Sequence, residues 1–244
     1  MFQTNPFLLI TLFVGMSLLP FIAMIATSYL KIVVVMSLIR NALGIQSIPP
    51  NMVINALAMI LTFYIMAPMM QESWNIMEGE LRKVEVAQPV EPGAEAQQNT
   101  LAAGQSGLLP GQGPDYLDMI SKAAEPFRKF LSGHTSDRER AFFVHTAGRL
   151  WSDNPDEPAE VDRESFYILI PSFCVSELTK SFQIGFLVYL PFIAIDIIIS
   201  NILLAMGMMM VSPVTISLPF KLLLFVMVNG WTLLIQGLVR GYLL

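Results

Sequence analysis

Charge is what this sequence lacks over most of its length. Only 14% of its 244 residues are charged, against roughly 25% in a soluble domain. The scarcity is local. All acidic residues except Glu177 and Asp196 lie between Gln71 and Glu164, with nine of the 14 bases. That middle segment holds 17 acids and nine bases, a net −8, while the flanks hold two acids and five bases. An acidic segment offers nothing to neutralise phosphate, so no nucleic-acid partner is expected. Cysteine is nearly absent as well. Cys174 alone rules out an intrachain disulfide, and its apolar context reads as a small buried side chain. The two histidines, His134 and His145, show no metal-ligand spacing. The glycine-rich stretch Gly104–Gly113 lacks the Lys-Ser/Thr of a phosphate loop. No Gly-x-Ser-x-Gly elbow occurs. Neither catalysis nor a metal nor a cofactor is expected.

What is present is four apolar blocks. The first runs from Pro6 to about Ile39. No base precedes Lys31 and the run is too long for a secretory signal, so a retained helix is expected. As one helix it would be ~50 Å long against a hydrocarbon core of ~30 Å. It must therefore tilt, kink at Pro20 or leave the bilayer. Arg40-Asn41-Ala42-Leu43-Gly44 ends it, and Ile48-Pro49-Pro50-Asn51 is a turn that restarts a helix. The second block, Met52 to Met70, is one span without charge, so the first two blocks form a helical hairpin. The third, Phe166 to Met206, would be ~60 Å long as one helix, twice the bilayer core. It also carries Pro171 and Pro191, so a broken helix or a hairpin is expected there. The fourth, Val214 to Val239, is interrupted only by Pro219 and Lys221.

Between the second and third blocks, Gln88–Pro114 reads as a flexible loop. Leu117, Ile120, Ala124, Phe127 and Leu131 then recur at helical spacing, with Asp115 as cap and a kink or early stop at Pro126. Ser136-Asp137-Arg138-Glu139 is a capping box opening a second helix, whose face carries Phe143, Val144, Ala147, Leu150 and Trp151. Asp153–Glu164 is a linker. The fold class is thus all-α: an integral membrane protein of long kinked helical hairpins with a polar, partly helical insertion. Its divisions are 1–70, 71–164 and 165–244. Arg40 in a short loop hints that this loop faces the cytoplasm, which puts the middle segment and both termini on the outer side.

An ionisable residue inside an apolar block is costly, at least ~2.5 kcal/mol on insertion scales. Lys31, Glu177, Lys180, Asp196 and Lys221 are five such residues. Glu177 and Lys180, three apart, share a helical face. Either these groups satisfy one another, or they line an aqueous path or a contact between subunits. Met206, Met208, Met209 and Met210 flank Gly207 and precede Val211-Ser212-Pro213. Methionine is unbranched and flexible. The cluster is core filling or a deformable seal, with Gly207 and Pro213 shaping its turn. A small-solute transporter with Glu177, Lys180 and Asp196 as a midplane relay in broken helices is the alternative function, and no inverted repeat is visible to support it.

Two stretches resemble the FliP/SctR family. One is Pro171-Ser172-Phe173-Cys174-Val175-Ser176-Glu177-Leu178 through Phe182-Gln183-Ile184-Gly185-Phe186. The other is Met206-Gly207-Met208-Met209-Met210-Val211-Ser212-Pro213 into Ile216-Ser217-Leu218-Pro219-Phe220-Lys221. The resemblance extends over Lys31–Ala67 and omits Gln71–Glu164. It implies a subunit of the type III secretion export apparatus in the bacterial inner membrane; flagellar members more often carry a cleaved signal, none is read here, and the injectisome branch is therefore expected over the flagellar one. Such subunits assemble as several copies with FliQ/SctS-like and FliR/SctT-like membrane proteins into a portal for unfolded substrate. The family's methionine gasket falls on Met206, Met208, Met209 and Met210. In the assembled portal much of the apolar surface is buried between subunits and raised above the membrane plane.

Overall fold

A computed structural model describes residues 6–45, 48–86, 116–152, 159–208 and 210–243. The expected loop Gln88–Pro114 and the capping role of Asp115 lie outside the described residues. The order is α1 (Pro6–Ile25), α2 (Tyr29–Ala42), α3 (Asn51–Val86), α4 (Tyr116–Ala123), α5 (Glu125–His134), α6 (Asp137–Leu150), α7 (Phe166–Ala205), α8 (Pro213–Met227) and α9 (Gly230–Arg240). No strand occurs among the described residues, so the fold is all-α.

By contacts the chain divides into two units, Met1–Met66 with Phe130–Leu244, and Ala67–Lys129. The core of the first unit is built on α2. Its stripe Ile32, Val35, Met36 and Ile39 recurs at helical spacing and is buried. Ile54 and Ala58 of α3, Phe192 of α7, Phe225 of α8, and Leu234 and Leu238 of α9 close over it. A further buried group, Phe130, Leu131, Ile168, Leu169 and Phe173, joins α5 to the first half of α7. In the second unit, Lys122 of α4 pairs with Asp118 at 2.7 Å and with Glu80 of α3 at 3.7 Å.

Several expected breaks fall elsewhere. The third apolar block is not broken: α7 is one helix of 40 residues running through Pro171 and Pro191. Each proline removes one intrahelical bond. Breaking the helix would orphan several backbone groups, each worth several kcal/mol in an apolar surround, so continuity is the lesser cost. The first block does not break at Pro20, which stays inside α1. It bends by 57° between Phe13–Ile25 and Tyr29–Ala42. There the Thr27 hydroxyl donates to the Ala23 carbonyl at 2.7 Å, a back-bond that competes with the helix. The fourth block bends by 59° between α8 and α9, at Asn229, whose φ of 51° is left-handed. The second block continues past Met70 to Val86, carried by good helix formers and an Arg82–Glu78 pair at 2.6 Å.

The helix from residue 116 stops at Ala123, and Pro126 enters the first turn of α5, where its missing N–H is harmless. Three short helices therefore stand where two were expected. Ser136 is the N-cap of α6 without a side-chain cap bond; its N–H instead bonds Ser176 Oγ of α7 at 2.9 Å. Two helices, Asn51–Arg82 and Phe166–Ala205, are long and apolar enough to cross a membrane, and the two bent pairs pass the same test.

Candidate functional site

Glu177 lies in the first half of α7, fully buried, and each side chain that reaches its carboxylate is a donor. Lys180, one turn on, reaches its Oε1 at 3.0 Å. Lys31 of α2 reaches Oε2 at 2.9 Å and is itself buried. The Tyr242 hydroxyl, beyond the end of α9, donates to the same Oε2. Burial first, and then the Glu177 charge, push that hydroxyl above its ordinary pKa, so it stays a donor. The Lys31 ammonium also stands 3.6 Å from the centroid of the Tyr242 ring, a cation–π contact strengthened by desolvation. Lys180 further donates to the His134 carbonyl at the end of α5, at 2.6 Å. One carboxylate thus ties α2, α5, α7 and the segment after α9 together.

A second polar site joins α7, α8 and α2. Asp196 accepts from Lys221 at 2.6 Å and from Ser217 Oγ at 2.6 Å. Lys221, buried, also donates to the Ala42 carbonyl at the end of α2, at 3.3 Å. That carbonyl is one of the groups a helix C-terminus leaves open, and a cation there is favourable.

The five sequence-selected charges therefore fall into two sets, Lys31–Glu177–Lys180 and Asp196–Lys221. They are separated by roughly 28 Å along α7 at 1.5 Å per residue, and the two sets share no ion pair. A single relay through Glu177, Lys180 and Asp196 has no geometry here. Sequence reading missed Ser217 and Tyr242. Ser217 sits one turn before Lys221, so spacing held a signal. Tyr242 gave none, because nothing local marks a tyrosine that closes on a residue 65 positions away.

The methionine turn links α7 to α8. Gly207 has φ +73°, the Met208 N–H bonds the Leu203 carbonyl at 2.9 Å, and the Gly207 N–H bonds the Leu204 carbonyl at 3.0 Å. These are the paired bonds of a Schellman stop, which requires the left-handed position that glycine takes freely. Ser212 is the N-cap of α8 and Pro213 occupies its first turn. Between them Met206 is 67% and Met208 43% exposed, and Met210 is fully exposed; Met209 lies outside the described residues. Methionines that filled a core of this chain would be covered, and these three are not.

Fold and sites together define a helical membrane protein with internally paired charges and an apolar turn left open. A profile of the FliP family matches residues 12–238. The chain is 46% identical over 228 residues to Yop proteins translocation protein R of Yersinia pestis, covering 93% of this chain and 92% of that protein. It is 42% identical over 234 residues to the hypersensitivity response secretion protein HrcR of Ralstonia nicotianae, covering 96% of each. It is 42% identical over 242 residues to the virulence protein YscR of Salmonella typhimurium, covering 98% and 97%. The chain belongs to the FliP family and is a membrane component of a type III secretion export apparatus.

Proposed function

We propose that this chain is a core subunit of an injectisome export gate in the bacterial inner membrane. Several copies, together with FliQ/SctS-like and FliR/SctT-like membrane subunits, form the channel through which unfolded substrate proteins cross. The middle segment, 71–164, faces the periplasm. The chain works by assembling and conducting and carries no catalytic step.

The observation that carries this reading is the exposed methionine turn at the end of a 40-residue apolar helix. Met206, Met208, Met209 and Met210 project to the axis of the assembled ring and close it, while Gly207 and Pro213 hold the turn. Such a seal must exclude ions when idle and part for side chains of any size. Unbranched side chains repack at little strain, and an apolar constriction resists wetting. Native mass spectrometry of the complex, extracted in mild detergent, tests the assembly. Several copies of this chain with the two other membrane subunits are expected. A chain that runs alone, or as a small homo-oligomer, would overturn the reading.

A further inference from the structure

The methionine turn is the tip of a hairpin whose two legs, α7 and α8, meet along a definite seam. On α8, Ser217, Lys221 and Phe225 recur at every fourth residue and all three are buried. On α7, Phe192 and Leu203 are buried and Asp196 lies between them at helical spacing. The legs pair in antiparallel order. The Phe192 and Phe225 ring centroids are 6.5 Å apart, and one turn nearer the tip Asp196 meets Lys221 at 2.6 Å. Another turn on, Ser217 Oγ donates to the second oxygen of the same carboxylate, at 2.6 Å. Between Asp196 and Ser217 the one buried side chain among the described residues is Leu203. Met206 stands ten residues past Asp196, ~15 Å at the helical rise.

Apolar contact is non-directional, so Phe192, Leu203 and Phe225 by themselves tolerate a slip of one leg along the other. The polar tie does not. A slip of one turn, ~5.4 Å, breaks both bonds to Asp196 and leaves Lys221 buried without its carboxylate. Lys221 also donates to the Ala42 carbonyl at 3.3 Å, so the hairpin is held against the end of α2, the helix on which the core is built. Setting register is the best-attested use of a buried polar group in an apolar seam.

We propose that Asp196, Ser217 and Lys221 are positioning residues for the methionine seal. They fix the register of the α7–α8 hairpin and set it against α2, so the turn stands at one height on the channel axis. The role rests on the seal reading above. The three residues act through the hairpin, at a distance from the turn. A hairpin that slips withdraws its methionines from the closed aperture, so the sign of a lost tie is an ion leak from a complex that is otherwise whole.

The test is the double variant Asp196→Leu with Lys221→Met. It removes both charges together, so neither is left unpaired, and an apolar replacement of such a pair is often neutral in stability. Native mass spectrometry should find the complex at wild-type recovery, while resting conductance in patched spheroplasts rises severalfold. Ser217→Ala keeps the ion pair and should leak less than the double variant. Lys221→Arg keeps a charged donor and should stay ion-tight. Gly185→Ala, which crowds α7 against Leu38 of α2 away from the turn, controls for general loosening and should also stay tight. The proposal falls if the double variant assembles and is ion-tight. It falls too if that variant loses subunits, which would assign the pair to assembly, or if Gly185→Ala leaks as much. Replacing Met208, Met209 and Met210 by Ala in the same assay separates the two readings. If that variant is ion-tight, the seal itself is wrong; if it leaks and the double variant does not, only the positioning role is lost.

Discussion

Glu177 and the methionines are opposite solutions to being in an apolar place. Glu177 is fully buried and survives as an ion because three donors converge on it. Removing one member of such a set leaves its partners charged and unpaired, which costs about 3–5 kcal/mol. Glu177→Leu is therefore expected to insert into the membrane as the wild type does and to lose most of the recoverable complex; normal recovery on blue-native gels would contradict this. Tyr242→Phe is milder, because the ring stays under Lys31 and only the hydrogen bond to a charged acceptor is lost, worth roughly 1.5–3 kcal/mol. It should lower the thermal midpoint of the complex in detergent by less than Glu177→Leu does. The methionines are exposed and apolar, so their role lies outside the chain's own core. Replacing Met208, Met209 and Met210 by Ala should make resting membranes leak ions while export continues, read as conductance in patched spheroplasts. An ion-tight variant would reduce the cluster to packing.

At the scale of elements, α7 is the member on which the others are placed. It packs on α2, α6 and α8, and both polar sites hang from it. Its approach to α2 is set by Gly185, where a Cβ would stand 2.3 Å from Leu38 Cδ1 and 3.2 Å from Leu38 Cβ. Gly185→Ala should push the two helices apart and destabilise the packing by about 1–3 kcal/mol, the usual range for overpacking. The double variant with Leu38→Ala should recover much of the lost thermal midpoint, and if it recovers none, the close approach is not what Gly185 serves. Both prolines of α7 were legible in the sequence as helix breakers. Their failure to break it follows from the surround: one missing N–H is cheaper in an apolar medium than a loop with several. The bend that does occur in the C-terminal region sits at Asn229-Gly230, a dipeptide that signals a turn and that the apolar run around it concealed.

At the scale of the molecule, apolar exposure is the dominant fact. Phe182, Phe186, Leu187, Ile197 and Ile198 are exposed along α7, and Phe13 and Phe21 along α1. Contiguous apolar surface of this extent marks contact with lipid or with other chains. The two settings respond differently to substitution. Phe186→Asn should be tolerated within the isolated chain, since that side chain touches little of it, yet reduce recovery of the assembled complex severalfold by native mass spectrometry. Unchanged recovery would assign that face to lipid. The ionisable residues behave in the opposite way: all five are paired inside the chain.

Composition and periodicity alone determined that this is an all-helical membrane protein with a polar segment set into it, because apolar runs of such length allow little else. They also isolated the five ionisable residues and the methionine turn, since each violates the composition around it. The Glu177–Lys180 pair and the Gly207 stop were readable too, being local in spacing and in backbone conformation. Only the tertiary structure brought Lys31 and Tyr242 to Glu177, and Ser217 and the Ala42 carbonyl to the Asp196–Lys221 pair. These partners lie on different helices, and no local rule specifies which faces meet. It alone decided that the longest apolar block stays one helix, because that outcome turns on the medium around the backbone rather than on the prolines within it.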